Sequence, residues 1–62
     1  MMNKEEIIEY GISVFEKENI FLDWIMLPNK ALNGLVPYDL LNTKDSYKVM
    51  DIIGRIKHGI YS

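Results

Sequence analysis

The sequence predicts an all-α fold, a small single-domain bundle of about four helices whose C-terminal helix ends near the chain terminus. The first reason is an apolar stripe at helical spacing, Val49, Ile52, Ile53 and Ile56, at positions i, i+3, i+4 and i+7. The second is that the connectors are short and rich in turn formers. The third is that the flanks of Asn33-Gly34 are too short and do not alternate, which argues against a hairpin and for a turn between helices.

A first helix is predicted to begin after Asn3, because asparagine caps helix N-termini and Glu5 and Glu6 then lie at the positive helix end. Its predicted inner face consists of Ile7, Ile8, Ile12 and Phe15. Gly11 lies inside this helix, where glycine costs about 1 kcal/mol relative to alanine. Its presence indicates either a close helix neighbour or a kink.

A second, nearly all-apolar helix is predicted from Ile20 to Leu27, with Asn19 as its cap. Pro28 ends it, since proline disfavours the helical conformation of the residue before it. Trp24 is expected to bury the largest surface of this helix. Tryptophan is also enriched at binding hot spots, but the apolar neighbours of Trp24 favour core packing.

Leu32 lies in the connector that follows, and its side chain is expected to pack in the core. Pro37 suits the first position of a third, short helix that extends to Leu41. Thr43 is the predicted N-cap of the final helix, which should run from about Lys44 to His58. The predicted structural core is Trp24, Leu32, Leu40, Leu41, Val49, Ile53 and Ile56.

The last predicted turn of the final helix carries cations, Arg55, Lys57 and His58, which suit the negative helix end. Gly59 is expected to stop this helix by taking a positive φ angle. Residues 60–62, Ile-Tyr-Ser, would then project as either a frayed end or a contact for another molecule. Arg55 likewise has two interpretations, as an i,i+4 partner of Asp51 or as a contact with another protein.

The composition excludes several classes of function. The chain has 62 residues, of which 48% are hydrophobic and 26% charged, so it should fold as one domain over residues 1–62. A net charge of −2 disfavours nucleic-acid binding. The chain has no cysteine and no apolar run of membrane-spanning length, which favours a soluble cytoplasmic protein. It contains no motif typical of catalysis, metal binding or cofactor binding, so we expect neither an enzyme nor a cofactor.

Over residues 21–62 the sequence resembles the C-terminal toxin-binding domain of the Xre/MbcA/ParS antitoxins of bacterial toxin–antitoxin systems. Three elements in order carry the resemblance: Trp24-x₃-Pro28-Asn29, Pro37-x₂-Leu40-Leu41-x-Thr43 and Arg55-Ile56-x-His58-Gly59. Many family members have glycine three residues after the threonine, where this chain has Ser46. Larger members also carry an N-terminal helix-turn-helix domain, for which no residues remain here, so repression of a promoter is not expected of this chain alone.

The resemblance implies a protein inhibitor of a RES-domain toxin that consumes NAD, with the antitoxin's C-terminal end at the mouth of the toxin's active site. The toxin-binding residues would be Arg55, His58, Gly59, Ile60, Tyr61 and Ser62. Two other hypotheses remain open. One is a homodimerisation or scaffold module of a longer transcriptional regulator, and the other is a DNA reader that uses Lys44, Lys48, Arg55 and Lys57.

Overall fold

The computed structural model describes residues 3–61, with side chains over residues 3–59. Within this part of the chain there are four α-helices and a short 3₁₀ turn, and no strand. The elements are α1 Lys4–Phe15, α2 Glu18–Ile25, the 3₁₀ turn Lys30–Leu32, α3 Pro37–Leu40 and α4 Ser46–Tyr61. The predicted all-α class and the four helices are therefore confirmed.

Helix α1 begins after Asn3, as predicted, and the structure adds that Asn3 and Glu6 form a reciprocal capping box. The Asn3 side chain accepts a hydrogen bond from the Glu6 N–H at 2.9 Å, and the Glu6 carboxylate accepts one from the Asn3 N–H at 3.4 Å. At the other end Glu16 adopts the left-handed conformation, with φ 68°, and its N–H donates to the carbonyl of Ile12. The chain reverses there within two residues.

The buried face of α1 differs from the predicted one. It consists of Ile7, Gly11 and Val14, whereas Ile8, Ile12 and Phe15 are only partly buried. The reason lies at Gly11, where the ring of Phe21 from α2 occupies the space that a Cβ atom would need. Of the two interpretations of Gly11, the close helix neighbour is correct. Because α1 packs against α2 at Gly11, the side of α1 that carries Gly11 is the buried side.

Helix α2 begins at Glu18, so the prediction of Asn19 as its cap was wrong. The N-cap residue is Lys17, which makes no side-chain capping bond. Because the left-handed Glu16 reverses the chain so quickly, the helix begins two residues earlier than the sequence suggested. The helix also ends at Ile25 rather than Leu27, before Pro28. Its fully buried residues are Phe21 and Ile25, and Trp24 is half-buried.

The connector between α2 and α3 is a turn, as predicted, and it is closed by one isolated bridge between Asn29 and Leu35. The Asn29 N–H donates to the Leu35 carbonyl at 2.9 Å, and the Gly34 N–H donates to the Asn29 carbonyl at 2.9 Å. Asn33 and Gly34 both take positive φ angles, which these two residue types tolerate well. The closed turn directs Leu32 into the core, where it is buried.

Helix α3 begins at Pro37 as predicted, but the start of α4 was predicted too early. The final helix begins at Ser46 rather than Lys44. The Thr43 hydroxyl accepts a hydrogen bond from the Asp45 N–H at 3.1 Å and donates to the Leu40 carbonyl at 2.8 Å. Thr43 therefore builds a turn that joins the two helices, rather than capping α4 directly.

Helix α4 buries the predicted stripe: Val49 and Ile53 are fully buried, while Ile52 and Ile56 pack against the core. The predicted stop at Gly59 was wrong, because the helix continues through it to Tyr61. Gly34 is the only glycine at positive φ in the described part of the chain. Glycine accepts helical angles as well as left-handed ones, and no contact of Gly59 within the described residues selects the left-handed form.

We expect Gly59→Ala to raise the free energy of unfolding by about 0.5 kcal/mol, because alanine favours the helix and a Cβ atom at Gly59 meets no described atom within 4 Å. The melting temperature should rise by roughly 2–4 °C. Thermal denaturation followed by circular dichroism measures this. A melting temperature lowered by several degrees would show that Gly59 is a left-handed helix stop after all.

One hydrophobic core joins the helices, with α1 packed against both α2 and α4, and α3 packed against α4. Phe21 lies at its centre and contacts two other aromatic rings. The ring centroids of Phe15 and Phe21 are 5.3 Å apart in an edge-on arrangement, and those of Phe21 and Trp24 are 6.0 Å apart. Of the predicted core set, Leu32, Leu41, Val49 and Ile53 are buried, and Trp24, Leu40 and Ile56 are partly buried against them.

Candidate functional site

The side of α4 that points away from the buried stripe forms an open, shallow depression, which we call the outer face. Residues four and three apart on the helix line it: Tyr47, Met50, Asp51, Gly54, Arg55 and His58. Tyr47 is 63% exposed, which is high for an aromatic side chain. The outer face is therefore a mixed apolar and charged surface. At one edge Met50 packs against the core, and at the other Ala31 and Leu32 of the 3₁₀ turn lie beside Asp51 and Arg55.

Arg55 forms the predicted ion pair with Asp51, at 3.0 Å between Nη2 and Oδ2. The two side chains are 76% and 58% exposed, so the pair contributes little to stability. A guanidinium group has five N–H donors in a planar fork, and one carboxylate engages only part of them. Arg55 therefore keeps both of its predicted interpretations, as a local partner and as a contact for another protein.

His58 lies one turn beyond Arg55 on the outer face and is exposed. Gly59 is exposed as well, and both residues lie within α4. Residues 60 and 61 continue the helical backbone. Their side chains and the whole of Ser62 lie outside the described residues, so the predicted contacts of Ile60, Tyr61 and Ser62 remain predictions.

Trp24 combines core and surface positions. Its ring packs against Phe15 and Phe21, with centroids 5.5 Å and 6.0 Å away. Ile20, one turn earlier on α2, is 47% exposed, and Leu27 just after the helix is also exposed. Trp24 is thus the half-buried edge of an aromatic cluster rather than the centre of the interior.

The cations proposed for a DNA-reading helix do not form a common set. The Lys48 ammonium lies 3.8 Å from an oxygen of the Asp45 carboxylate, and Arg55 is paired with Asp51. The Lys57 ammonium lies 5.7 Å from the ring centroid of Tyr10 on α1. The fourth cation, Lys44, lies in the turn before α4 and not on the helix. Since carboxylates lie beside two of the four cations and the Lys57 ammonium lies beside α1, the arrangement does not favour phosphate binding.

Tyr47, Met50 and Gly54 belong to the outer face but were missed by sequence reasoning. The signal was present, because these residues and His58 stand at i, i+3, i+7 and i+11, on the opposite side of α4 from the buried stripe. A helix with two patterned faces indicates one for the core and one for another contact. The isoleucine pattern of the buried stripe is stronger, so the weaker pattern of the outer face was overlooked.

The part of the chain that the structure describes shows neither a metal site nor a membrane-spanning helix. No three side chains of the histidine, cysteine, aspartate or glutamate type come together as a metal site there. None of the helices described has the length and apolarity that crossing a membrane requires.

A small helical domain whose longest helix leaves a patterned face largely exposed offers a surface for another protein. Residues 11–59 match the family model of the antitoxin Xre/MbcA/ParS C-terminal toxin-binding domain. This match covers most of the chain, so the chain belongs to that family and is a toxin-binding domain of the antitoxin type. It includes Arg55, His58 and Gly59 and stops before residues 60–62. Comparisons with curated proteins and with solved structures found no match.

Proposed function

We propose that this chain neutralises a RES-domain toxin that consumes NAD, by binding the toxin through the C-terminal half of α4. The observation that carries the proposal is the outer face of α4, exposed in a domain that belongs to a toxin-binding family. Arg55 offers a largely exposed guanidinium for a carboxylate on the toxin. His58 and Gly59 follow on the same exposed helix end.

The second part of the proposal is that Ile60, Tyr61 and Ser62 occlude the toxin's active site. Helix α4 continues to Tyr61, so the backbone of residues 60 and 61 extends the helix and is not a loose tail. A segment with a helical backbone loses less conformational freedom on entering a pocket than a flexible segment does. The helical backbone at residues 60 and 61 therefore supports occlusion, although it differs from the projecting tail that the sequence suggested.

In this proposal the chain performs no catalysis and needs no cofactor. Inhibition follows from the covering of a preformed pocket, and a pocket for NAD is concave and largely apolar. Because the toxin's substrate is an intracellular nucleotide, we place the pair in the cytoplasm.

The test is an inhibition assay with a purified RES-domain toxin, in which loss of NAD is followed as the antitoxin chain is added. We expect the full chain to suppress NAD loss, and both Arg55→Glu and removal of residues 60–62 to raise the half-inhibitory concentration at least ~10-fold, the loss of one well-made contact. Lys17→Glu is the matched control, because Lys17 is exposed and lies between α1 and α2. It should inhibit as the unchanged chain does.

Two results would contradict different parts of this proposal. If the chain without residues 60–62 inhibits fully while Arg55→Glu does not, α4 binds the toxin but the occlusion mechanism is wrong. If the full chain leaves NAD loss unchanged in the RES-domain assay, the assigned toxin class is wrong.

A further inference from the structure

Helix α1 carries more apolar side chains than the domain fully buries. Beside its buried side runs a second stripe, at positions i, i+4 and i+7, whose members pack against the core but stay partly exposed: Ile8, Ile12 and Phe15. This stripe adjoins α2, because the Phe15 ring contacts the rings of Phe21 and Trp24. The α1–α2 pair therefore leaves part of an apolar stripe in contact with solvent.

Helix α2 extends this apolar surface. Trp24 is half-buried, and the centroid of its ring lies 5.5 Å from that of Phe15. Ile20 lies one turn before Trp24 on the same side of α2 and is 47% exposed. We call the surface formed by five residues of these two helices the α1–α2 surface: Ile8, Ile12, Phe15, Ile20 and Trp24.

Carboxylates border the α1–α2 surface at its outer edges. On α1, Glu9 lies one turn before Ile12, and Glu5 lies one turn before Glu9. On α2, Asp23 lies one turn after Ile20. All three carboxylates are exposed, and among the described residues no cation lies within ion-pair distance of them. Their negative charge is therefore open to a partner.

The negative charge belongs to the whole α1–α2 half of the domain. Residues 4–25 carry six carboxylates and two lysines, a net charge of −4, whereas residues 26–62 carry five cations and three carboxylates. A surface in the acidic half attracts cations and repels anions such as nucleic acids and anionic membranes. The α1–α2 surface of a second copy would be repelled as well.

We propose that the α1–α2 surface binds a basic amphipathic helix of a partner protein. The apolar face of such a helix covers the exposed parts of Ile20 and Trp24, and its lysine and arginine side chains lie beside the carboxylates at the edges. Helix α1 is about 18 Å long, which is enough for three turns of a partner helix. The apolar contact supplies most of the affinity, and the charges orient the helix and select a basic one.

The α1–α2 surface is separate from the outer face of α4. Tyr10 lies on the side of α1 that faces α4, since the Lys57 ammonium is 5.7 Å from its ring centroid. Ile12 follows two residues later, and a rotation of about 200° places it on the opposite side of α1. The two surfaces can therefore be occupied at the same time, and this inference does not depend on the proposed toxin contact.

Trp24 is the single tryptophan of the chain, so its fluorescence reports directly on the α1–α2 surface. The probe is a synthetic lysine–leucine peptide of about 14 residues, without tryptophan, whose leucines lie on one helical face. At low salt we expect it to move the emission of Trp24 to shorter wavelength, with a dissociation constant in the range of roughly 1–100 µM. A peptide with glutamate in place of every lysine keeps the apolar face and should bind at least ~10-fold more weakly.

Substitutions at the surface test its two components separately. Ile20→Ser removes an exposed apolar contact and should weaken the lysine–leucine peptide about 10-fold. The double variant Glu9→Lys/Asp23→Lys reverses the charge at both edges. It should bind the lysine–leucine peptide at least ~10-fold more weakly, and the glutamate–leucine peptide more tightly, than the unchanged chain does. Circular dichroism should show an intact helical domain in each case, because the replaced side chains are exposed.

The matched control is Glu18→Lys/Asp39→Lys, which changes the net charge equally at two exposed carboxylates away from the surface. Glu18 lies on the side of α2 opposite Ile20, and Asp39 lies on α3, which packs against α4. This control should bind the lysine–leucine peptide within about 3-fold of the unchanged chain, because its edges keep their carboxylates. An unchanged Trp24 emission at every concentration of the lysine–leucine peptide, equal binding of the two peptides, or equal losses in the two double variants would overturn the proposal.

Discussion

Replacing Phe21 by alanine is expected to leave the domain with little or no net stability at room temperature. The Phe21 ring is 0% exposed, packs edge-on against Phe15 and lies over the backbone of Gly11. Removal of a buried phenylalanine side chain typically costs about 3–5 kcal/mol, because the lost burial is joined by a cavity. A domain of this size has a total stability of only about 3–9 kcal/mol.

Urea denaturation followed by far-ultraviolet circular dichroism measures the effect. Leu22→Ala is the matched control, since Leu22 is the next residue on α2 but is 39% exposed. It should lower the free energy of unfolding by less than about 1 kcal/mol, because little apolar surface leaves the core. Equal losses for Phe21→Ala and Leu22→Ala would mean that the core is not centred on Phe21.

The sequence was sufficient to predict those elements whose signal lies within one or two helical turns. Asn3 and Glu6 define the start of α1 through their reciprocal hydrogen bonds, and the fixed φ of Pro37 defines the start of α3. The isoleucine stripe defines the buried side of α4 because only one orientation hides it. These features depend on neighbours along the chain, which a sequence displays directly.

The wrong predictions share a different cause. Each concerns a feature that depends on a tertiary contact or on a backbone conformation set by several residues together. Asn19 is a good cap residue, but the left-handed turn at Glu16 starts α2 before it. Trp24 is the largest apolar side chain, yet Phe21 occupies the centre because Gly11 lets it approach α1. Gly59 can stop a helix or continue one, and sequence alone does not distinguish the two.

The residues of the candidate site were likewise predicted only in part. Arg55 and His58 follow from the family resemblance, and the Asp51–Arg55 pair follows from helical spacing. The rest of the outer face did not follow, since Tyr47 is apolar enough to be assigned to a core and Met50, at the edge of the face, also packs against the core. Their position became clear only once the stripe on the other side of α4 was seen to fill the interior.

Gly11→Ala is expected to be the most damaging addition of a single methyl group to this fold. A Cβ atom at Gly11 would lie 2.8 Å from Cδ1 of Phe21 and closer still to Cε1 and Cζ. The ring is fully buried, so it has no solvent-filled space to enter. Overpacking of this kind costs about 1–3 kcal/mol, which outweighs the ~0.5–1 kcal/mol that alanine contributes as a better helix former.

Urea denaturation of Gly11→Ala should therefore show a lower free energy of unfolding. The matched control Gly54→Ala should show an equal or higher one, because a Cβ atom at Gly54 makes only an ordinary van der Waals contact, with the Tyr10 hydroxyl at 3.9 Å. Adding Phe21→Leu to Gly11→Ala should recover part of the loss, since a leucine side chain is smaller than the ring that causes the clash. In a double-mutant cycle the two changes would then be less harmful together than the sum of their separate effects. If Gly11→Ala is instead tolerated as well as Gly54→Ala, the two helices do not approach closely at Gly11, and the aromatic cluster on which the core is built must be arranged differently.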